Sequence, residues 1–223
     1  MSKLRGAFTA LITPMNKDGS VDYEGFRSLL RYQLDNGITG LLPLGTTGET
    51  PTLLEVGEED KIIDIAVEEV SAYKQKLKRD IPLIIGAGSN NTAEAVRYVQ
   101  RVKDKGADYA LVVTPYYNKP SDEGIFRHYE AVSKIGIPIL VYNIAGRTGK
   151  NIIAELPNIA GVKEASGDIN QMMDVIATIA SERDDFSVLS GDDGLTVPLV
   201  AMGGDGVISV VSNLAPAQVT EMT

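Results

Sequence analysis

No cysteine occurs in the 223 residues, which excludes disulfides, thiolate metal sites and a cysteine nucleophile. There is a single histidine, His128, and it falls inside a helical pattern where it reads as an ordinary helix residue. No run approaches the ~18 apolar residues that would span a membrane as a helix. Basic residues are outnumbered: 21 Lys and Arg against 30 Asp and Glu leave a net charge of −9. An acidic surface repels phosphate backbones, so neither a nucleic-acid nor a membrane partner is expected. Linkers, short-period repeats and low-complexity tracts are missing too. Lys3 and Arg5 ahead of Gly6–Ile12 faintly imitate a leader peptide. That run stops at Pro14 without a small-residue cleavage site, so it reads as a first strand and the chain as cytoplasmic.

What is present is enough apolar mass for a real core, 43% of residues, and 22 glycines that suggest many tight turns. Apolar runs at Ala7–Thr13, Gly40–Leu44, Pro82–Gly86, Tyr109–Thr114, Pro138–Asn143, Ala160–Ala165, Ser187–Ser190 and Gly206–Val211 are nearly continuous rather than alternating. That pattern marks strands buried on both faces, hence a parallel sheet under helices. Helical spacing appears between them. Phe26, Leu29, Leu30 and Leu34 recur before a stop at Gly37, and Ile62, Ile63, Ala66, Val67 and Val70 repeat the pattern. Asn91 with Glu94 resembles an N-cap with its reciprocal partner, Ser121 a second cap, and Met172, Val175 and Ile179 a further helix. Eight such units predict one α/β domain over 1–223, a (β/α)8 TIM barrel. No G-x-G-x-x-G follows the first strand, and Gly86-Ala87-Gly88 reads as a tight turn.

In such a barrel reactive groups gather at the C-terminal strand ends. Strand two ends in Gly45-Thr46-Thr47-Gly48-Glu49, either an anion-cradling loop with two hydroxyls or a plain glycine turn. Strand four ends in Tyr116-Tyr117, packing residues or members of a proton-passing chain. Strand five is followed by Gly146-Arg147-Thr148-Gly149, where Arg147 either clamps a carboxylate in two-point fashion or forms a surface ion pair. Strand six carries Lys163. Burial there disfavours the ammonium and frees an amine able to form a Schiff base, unless the stem merely lines the barrel while its head reaches solvent. Strand seven ends in Gly191-Asp192-Asp193, either ordinary residues of a helix start or, with Glu164 and Asp205, ligands of a divalent metal. Without histidine or cysteine at a strand end, tyrosine, threonine and lysine must carry any proton work.

Taken together, Gly45-Thr46-Thr47-Gly48-Glu49, Val113-Thr114-Pro115-Tyr116-Tyr117, Tyr142-Asn143, Val162-Lys163-Glu164-Ala165 and Gly206-Val207-Ile208-Ser209 resemble the dihydrodipicolinate synthase / N-acetylneuraminate lyase family of lysine-dependent pyruvate aldolases. The Thr46-Thr47 pair, Tyr116-Tyr117 and the Arg147 loop resemble its synthase branch. The resemblance implies a Schiff-base aldol condensation of pyruvate with L-aspartate 4-semialdehyde, giving 4-hydroxy-tetrahydrodipicolinate for lysine and diaminopimelate biosynthesis. It implies Lys163 as nucleophile and Tyr142, Thr46 and Tyr117 as a proton relay, Tyr117 coming from a neighbouring subunit of a homo-oligomer. Thr47 and the backbone at Ile208 would position pyruvate, Arg147 would hold the semialdehyde carboxylate, and no cofactor or metal would be needed. The alternatives are a sister aldolase or lyase acting on another aldehyde, or a catalytically weak, truncated barrel.

There are departures from the family pattern. Ala145 stands where proline is usual. Glu55 and Glu58 stand where lysine-inhibited members carry histidine, while Asn90, Glu94 and Tyr116 match the other effector contacts. Residues 144–159 leave room for only a shortened fifth crossover helix, and the eighth helix and the helices beyond it are expected to be largely missing.

Overall fold

The computed structural model describes residues 3–144, 156 and 158–223. Eight parallel strands form: β1 (Gly6–Ala10), β2 (Gly40–Leu42), β3 (Ile84–Gly86), β4 (Tyr109–Val113), β5 (Ile139–Asn143), β6 (Ile159–Glu164), β7 (Ser187–Ser190) and β8 (Gly206–Ser209). Each of the eight expected strands is there, with some ends trimmed. Thr13, for example, lies outside the ladder, and its hydroxyl donates to the Gly48 carbonyl at 2.7 Å. The sheet order is β2-β1-β8-β7-β6-β5-β4-β3. A parallel bridge between Leu41 and Leu83 joins the two ends. Leu41 N–H donates to the Pro82 carbonyl and Gly86 N–H to the Pro43 carbonyl, both at 3.1 Å. The ring is thus a (β/α)8 TIM barrel whose thinnest seam lies between β2 and β3.

Helices α1 (Tyr23–Asp35), α2 (Asp60–Leu77), α3 (Thr92–Asp104), α4 (Asp122–Ser133), α5 (Ile169–Val175), α6 (Thr196–Ala201) and α7 (Pro216–Glu221) follow the strands. Alternation along each strand splits the apolar residues into two bodies. Phe8, Leu42, Ile84, Leu140 and Ile208 belong to the cluster that fills the barrel. Ala7, Leu41, Ile85, Val112 and Val141 belong to the larger cluster shared with the helices. Among the described residues, no helix is long and apolar enough to cross a membrane. The fifth crossover, including Ala145 and Arg147, lies outside the described residues, as does the side chain of Glu55. In the eighth position stands the six-residue α7.

Capping explains where the helices begin. Asp22 accepts from Gly25 N–H, Ser121 from Gly124 N–H, and Asn91 from Ala93 and Glu94 N–H. Glu94 is not the reciprocal partner expected of a capping box. Its carboxylate accepts from the Ser89 hydroxyl at 2.9 Å, and Ser89 in turn accepts from Asn91 N–H at 3.1 Å. Gly37 ends α1 with φ +82°, a conformation that costs glycine little. The helix read from Met172, Val175 and Ile179 starts as α5 and runs on through a wider π turn at Ile176–Ala180.

His128 on α4 is buried, with Nδ1 3.0 Å from the Thr92 hydroxyl of α3 and Nε2 without a hydrogen-bond partner. Burial pushes its pKa down from 6.5 to about 4. The folded value lies below the unfolded one, so the associated cost is absent above pH 6.5. It grows as pH falls toward 4, where it reaches roughly 3 kcal/mol. His128→Gln should therefore flatten the fall in melting temperature between pH 6.5 and 4. An acid limb as steep as that of the parent chain would contradict this assignment.

Candidate active site

The site begins with a register irregularity. Ile139 of β5 pairs with Ile159 of β6, but the next residue, Leu140, pairs with Gly161, so Ala160 is an extra step. Side chains alternate along a strand, so one inserted residue exchanges the two faces of everything beyond it. From there on Leu140 pairs with Gly161, Tyr142 with Lys163 and Asn143 with Glu164. Lys163 thereby joins Tyr142 inside the barrel and Glu164 turns toward the helices. Glu164 is fully buried there, accepting from Asn143 Nδ2 (2.7 Å), Gln171 Nε2 (3.1 Å) and Ser166 N–H (2.8 Å). Nothing in the order of residues announces this step; the sole hint is the pair of small residues Ala160-Gly161 at the strand's start.

Lys163 is 6% exposed, so the reading in which its head reaches solvent does not hold. Its Nζ lies 4.3 Å from the centre of the Tyr142 ring. The stem passes Gly191 closely: a Cβ there would sit 3.0 Å from Lys163 Cε and 2.6 Å from Ala165 Cβ. Burial pulls the Lys163 ammonium down from 10.5 to about 8, opposed by the charge of Asp193. At pH 7 about one amine in ten is then neutral, against fewer than ~1 in 1,000 for an unperturbed lysine. Burial raises the Tyr142 phenol above its ordinary 10, while a hydrogen bond with the Thr46 side chain pulls it back. Lys163, Tyr142 and Thr46 are thus brought together from β6, β5 and the turn after β2.

That turn is a 3-10 turn over Thr46–Gly48. Thr47 is half-buried in it, and Ile208 is fully buried within the barrel. Tyr117 is not brought into the group: it is 93% exposed, with a left-handed φ of +69°. Arg147 lies outside the described residues. The carboxylates considered as metal ligands are dispersed. Asp205 sits at the opposite end of the barrel, where Lys3 and Arg5 reach it at 3.1 and 3.3 Å, and Glu164 faces the helices. Gly86 is required for close approach rather than for a tight turn, since a Cβ there would collide with the Leu44 carbonyl.

A cavity of about 490 Å³ opens at the β2–β3 seam. It runs from Tyr142 and Thr46 past Ser89 to Glu94, Tyr98 and Tyr116. Lys163 is not in its lining, whereas Tyr142 and Thr46 are. The Tyr116 carbonyl accepts from Asn90 Nδ2 at 3.2 Å, which places Asn90 beside the same region.

Fold and site together define a β/α-barrel protein with a buried, partly neutral lysine amine at the end of β6. The chain belongs to the Dihydrodipicolinate synthetase family, whose profile matches residues 3–223. It is 50% identical over 222 residues to the 4-hydroxy-tetrahydrodipicolinate synthase of Protochlamydia amoebophila, covering 96% of this chain and 71% of that protein. The dihydrodipicolinate synthase of Thermotoga maritima superposes with a TM-score of 0.88 at 43% identity, over 98% of this chain and 74% of that one. A chloride-inhibited dihydrodipicolinate synthase from Acinetobacter baumannii, solved with pyruvate, gives a TM-score of 0.88 at 37% identity, over 98% and 74%.

Burying an ammonium costs stability. The folded pKa of Lys163 is below its unfolded value, so the cost is full below pH 8 and is relieved as pH rises toward 10.5. Lys163→Met, which keeps the length and removes the charge, should raise the melting temperature at pH 7 by roughly 7 °C. An unchanged or lower value would show that the charge is not paid for in this way.

Proposed function

We propose that the chain is a class I aldolase that condenses pyruvate with L-aspartate 4-semialdehyde to give 4-hydroxy-tetrahydrodipicolinate, in lysine and diaminopimelate biosynthesis. The observation that carries this is Lys163, an amine held mostly out of water, with a lowered pKa, against Tyr142. A neutral amine attacks a ketone; a protonated one does not. Family membership and the names of the relatives support the choice of substrates.

Lys163 Nζ adds to the keto carbon of pyruvate, and the resulting carbinolamine loses water to leave an iminium. The iminium withdraws electrons, so a proton leaves the pyruvyl methyl group and an enamine forms. The enamine carbon then bonds to the aldehyde carbon of the semialdehyde. Finally the semialdehyde's own amine attacks the iminium carbon, closes the ring and expels Lys163 as the free amine. The electron sink is the iminium itself, so the sequence calls on neither cofactor nor metal. Tyr142 and Thr46, whose side chains interact, move the protons. Tyr117 completes that relay from a second copy of the chain, a role that fits its exposure in a single copy. Thr47 and the backbone at Ile208 position pyruvate, Arg147 holds the semialdehyde carboxylate, and the protein works in the cytoplasm.

Borohydride reduces an iminium to a stable secondary amine. Incubation with pyruvate and borohydride should therefore leave a pyruvate-derived mass on the peptide containing Lys163 and block turnover. A chain that stays unlabelled on that peptide would overturn the proposal. A panel of aldehydes then separates the synthase from a sister aldolase, which would prefer another acceptor.

A further inference from the structure

Asp193 lies two residues past Gly191, where the chain leaves β7, and opens the short turn Asp193–Leu195. Its Oδ2 accepts the backbone N–H groups of Val210 at 3.0 Å and Val211 at 3.1 Å, just beyond β8. Its Oδ1 is buried and has no hydrogen-bond partner. A buried carboxylate oxygen without a donor is costly and needs a reason. The Lys163 stem lies against Gly191 of the same loop, and the Asp193 charge is felt at Lys163, where it opposes the effect of burial. The other titratable groups near the amine do not compete: Tyr142 presents its ring, and Glu164 faces the helices with Asn143 and Gln171.

We propose that Asp193 is the fixed counter-charge of Lys163, pinned by two backbone amides so that it stabilises the positive nitrogen that imine formation leaves there. This rests on the Lys163 reading above and adds a positioning residue to it. When the carbinolamine dehydrates, the nitrogen lone pair forms the C=N bond, the hydroxyl takes up a proton and leaves as water, and the positive charge remains on nitrogen. Asp193 takes no proton in this step; it offsets that charge. A carboxylate placed only to hold the two amides after β8 would not do so.

The test is the pH dependence of Lys163 acetylation by trace acetic anhydride, read by peptide mass spectrometry without pyruvate. The full chain is compared with Asp193→Asn and Asp193→Glu. Asp193→Asn keeps an oxygen for the two amides and removes the charge, so the Lys163 midpoint should move down from about 8 by roughly one pH unit. Asp193→Glu, which keeps the charge, should restore most of the difference. A midpoint in Asp193→Asn that coincides with the parent's would overturn the proposal. Should that variant not fold, Asp193→Ser is judged by the same criterion. Because the labelling uses no pyruvate, it separates failure of this coupling from failure of the aldolase reading.

Discussion

Between Ile139 and Leu140 of β5 the partner strand β6 spends one residue more, Ala160, and every side chain beyond it changes face. Lys163 is turned into the barrel and Glu164 toward the helices, and each destination suits only the group it receives. Inside, Lys163 is buried with its Nζ over the Tyr142 ring. Outside, Glu164 meets three neutral donors, from Asn143, Gln171 and Ser166. Exchanging the two would bury a carboxylate among apolar barrel residues and a lysine among groups that mostly donate. The hydrogen bonds around Glu164 therefore fix the phase of the strand that carries the reactive amine.

The chemistry and the stability of the fold pull against each other at this point. A lysine with an ordinary pKa would be harmless to the core and almost entirely protonated at neutral pH. Burial reverses both properties, since it makes some of the amine neutral and charges the fold for the part that is not. Gly191 leaves space for the stem to lie flat, and Asp193 limits how far the pKa falls. Lys163 is thus poised near 8 rather than pushed far below, a compromise between a free amine before the attack and a stable cation after it.

Much of this was legible in the residues, for a physical reason. Strands covered on both faces need continuous apolar runs, and such runs revealed all eight. A lysine set in one of them, Val162-Lys163-Glu164, stood out because its burial is costly. Thr46 and Tyr142 came through the family pattern, and the structure brings them together with Lys163. What was hidden depends on pairing between distant segments. The Ala160 step is a property of two strands in register. Asp205 is adjacent in sequence to β8 yet belongs to the opposite rim, with Lys3 and Arg5. Asp193 read as the start of a helix because its effect on Lys163 arises only when β6 and β7 lie side by side. Glu94 matched a capping motif, but Ser89 intercepts its carboxylate.

The central claim is that a residue step in β6 delivers a buried amine of lowered pKa to the barrel mouth. Measuring the rate of pyruvate and borohydride adduct formation against pH, with the modified peptide identified at each point, tests it most directly. The account predicts a label on Lys163 alone and a rate that rises with a midpoint near pH 8. A midpoint near the ordinary lysine value of about 10.4, or a label on another lysine, would contradict it.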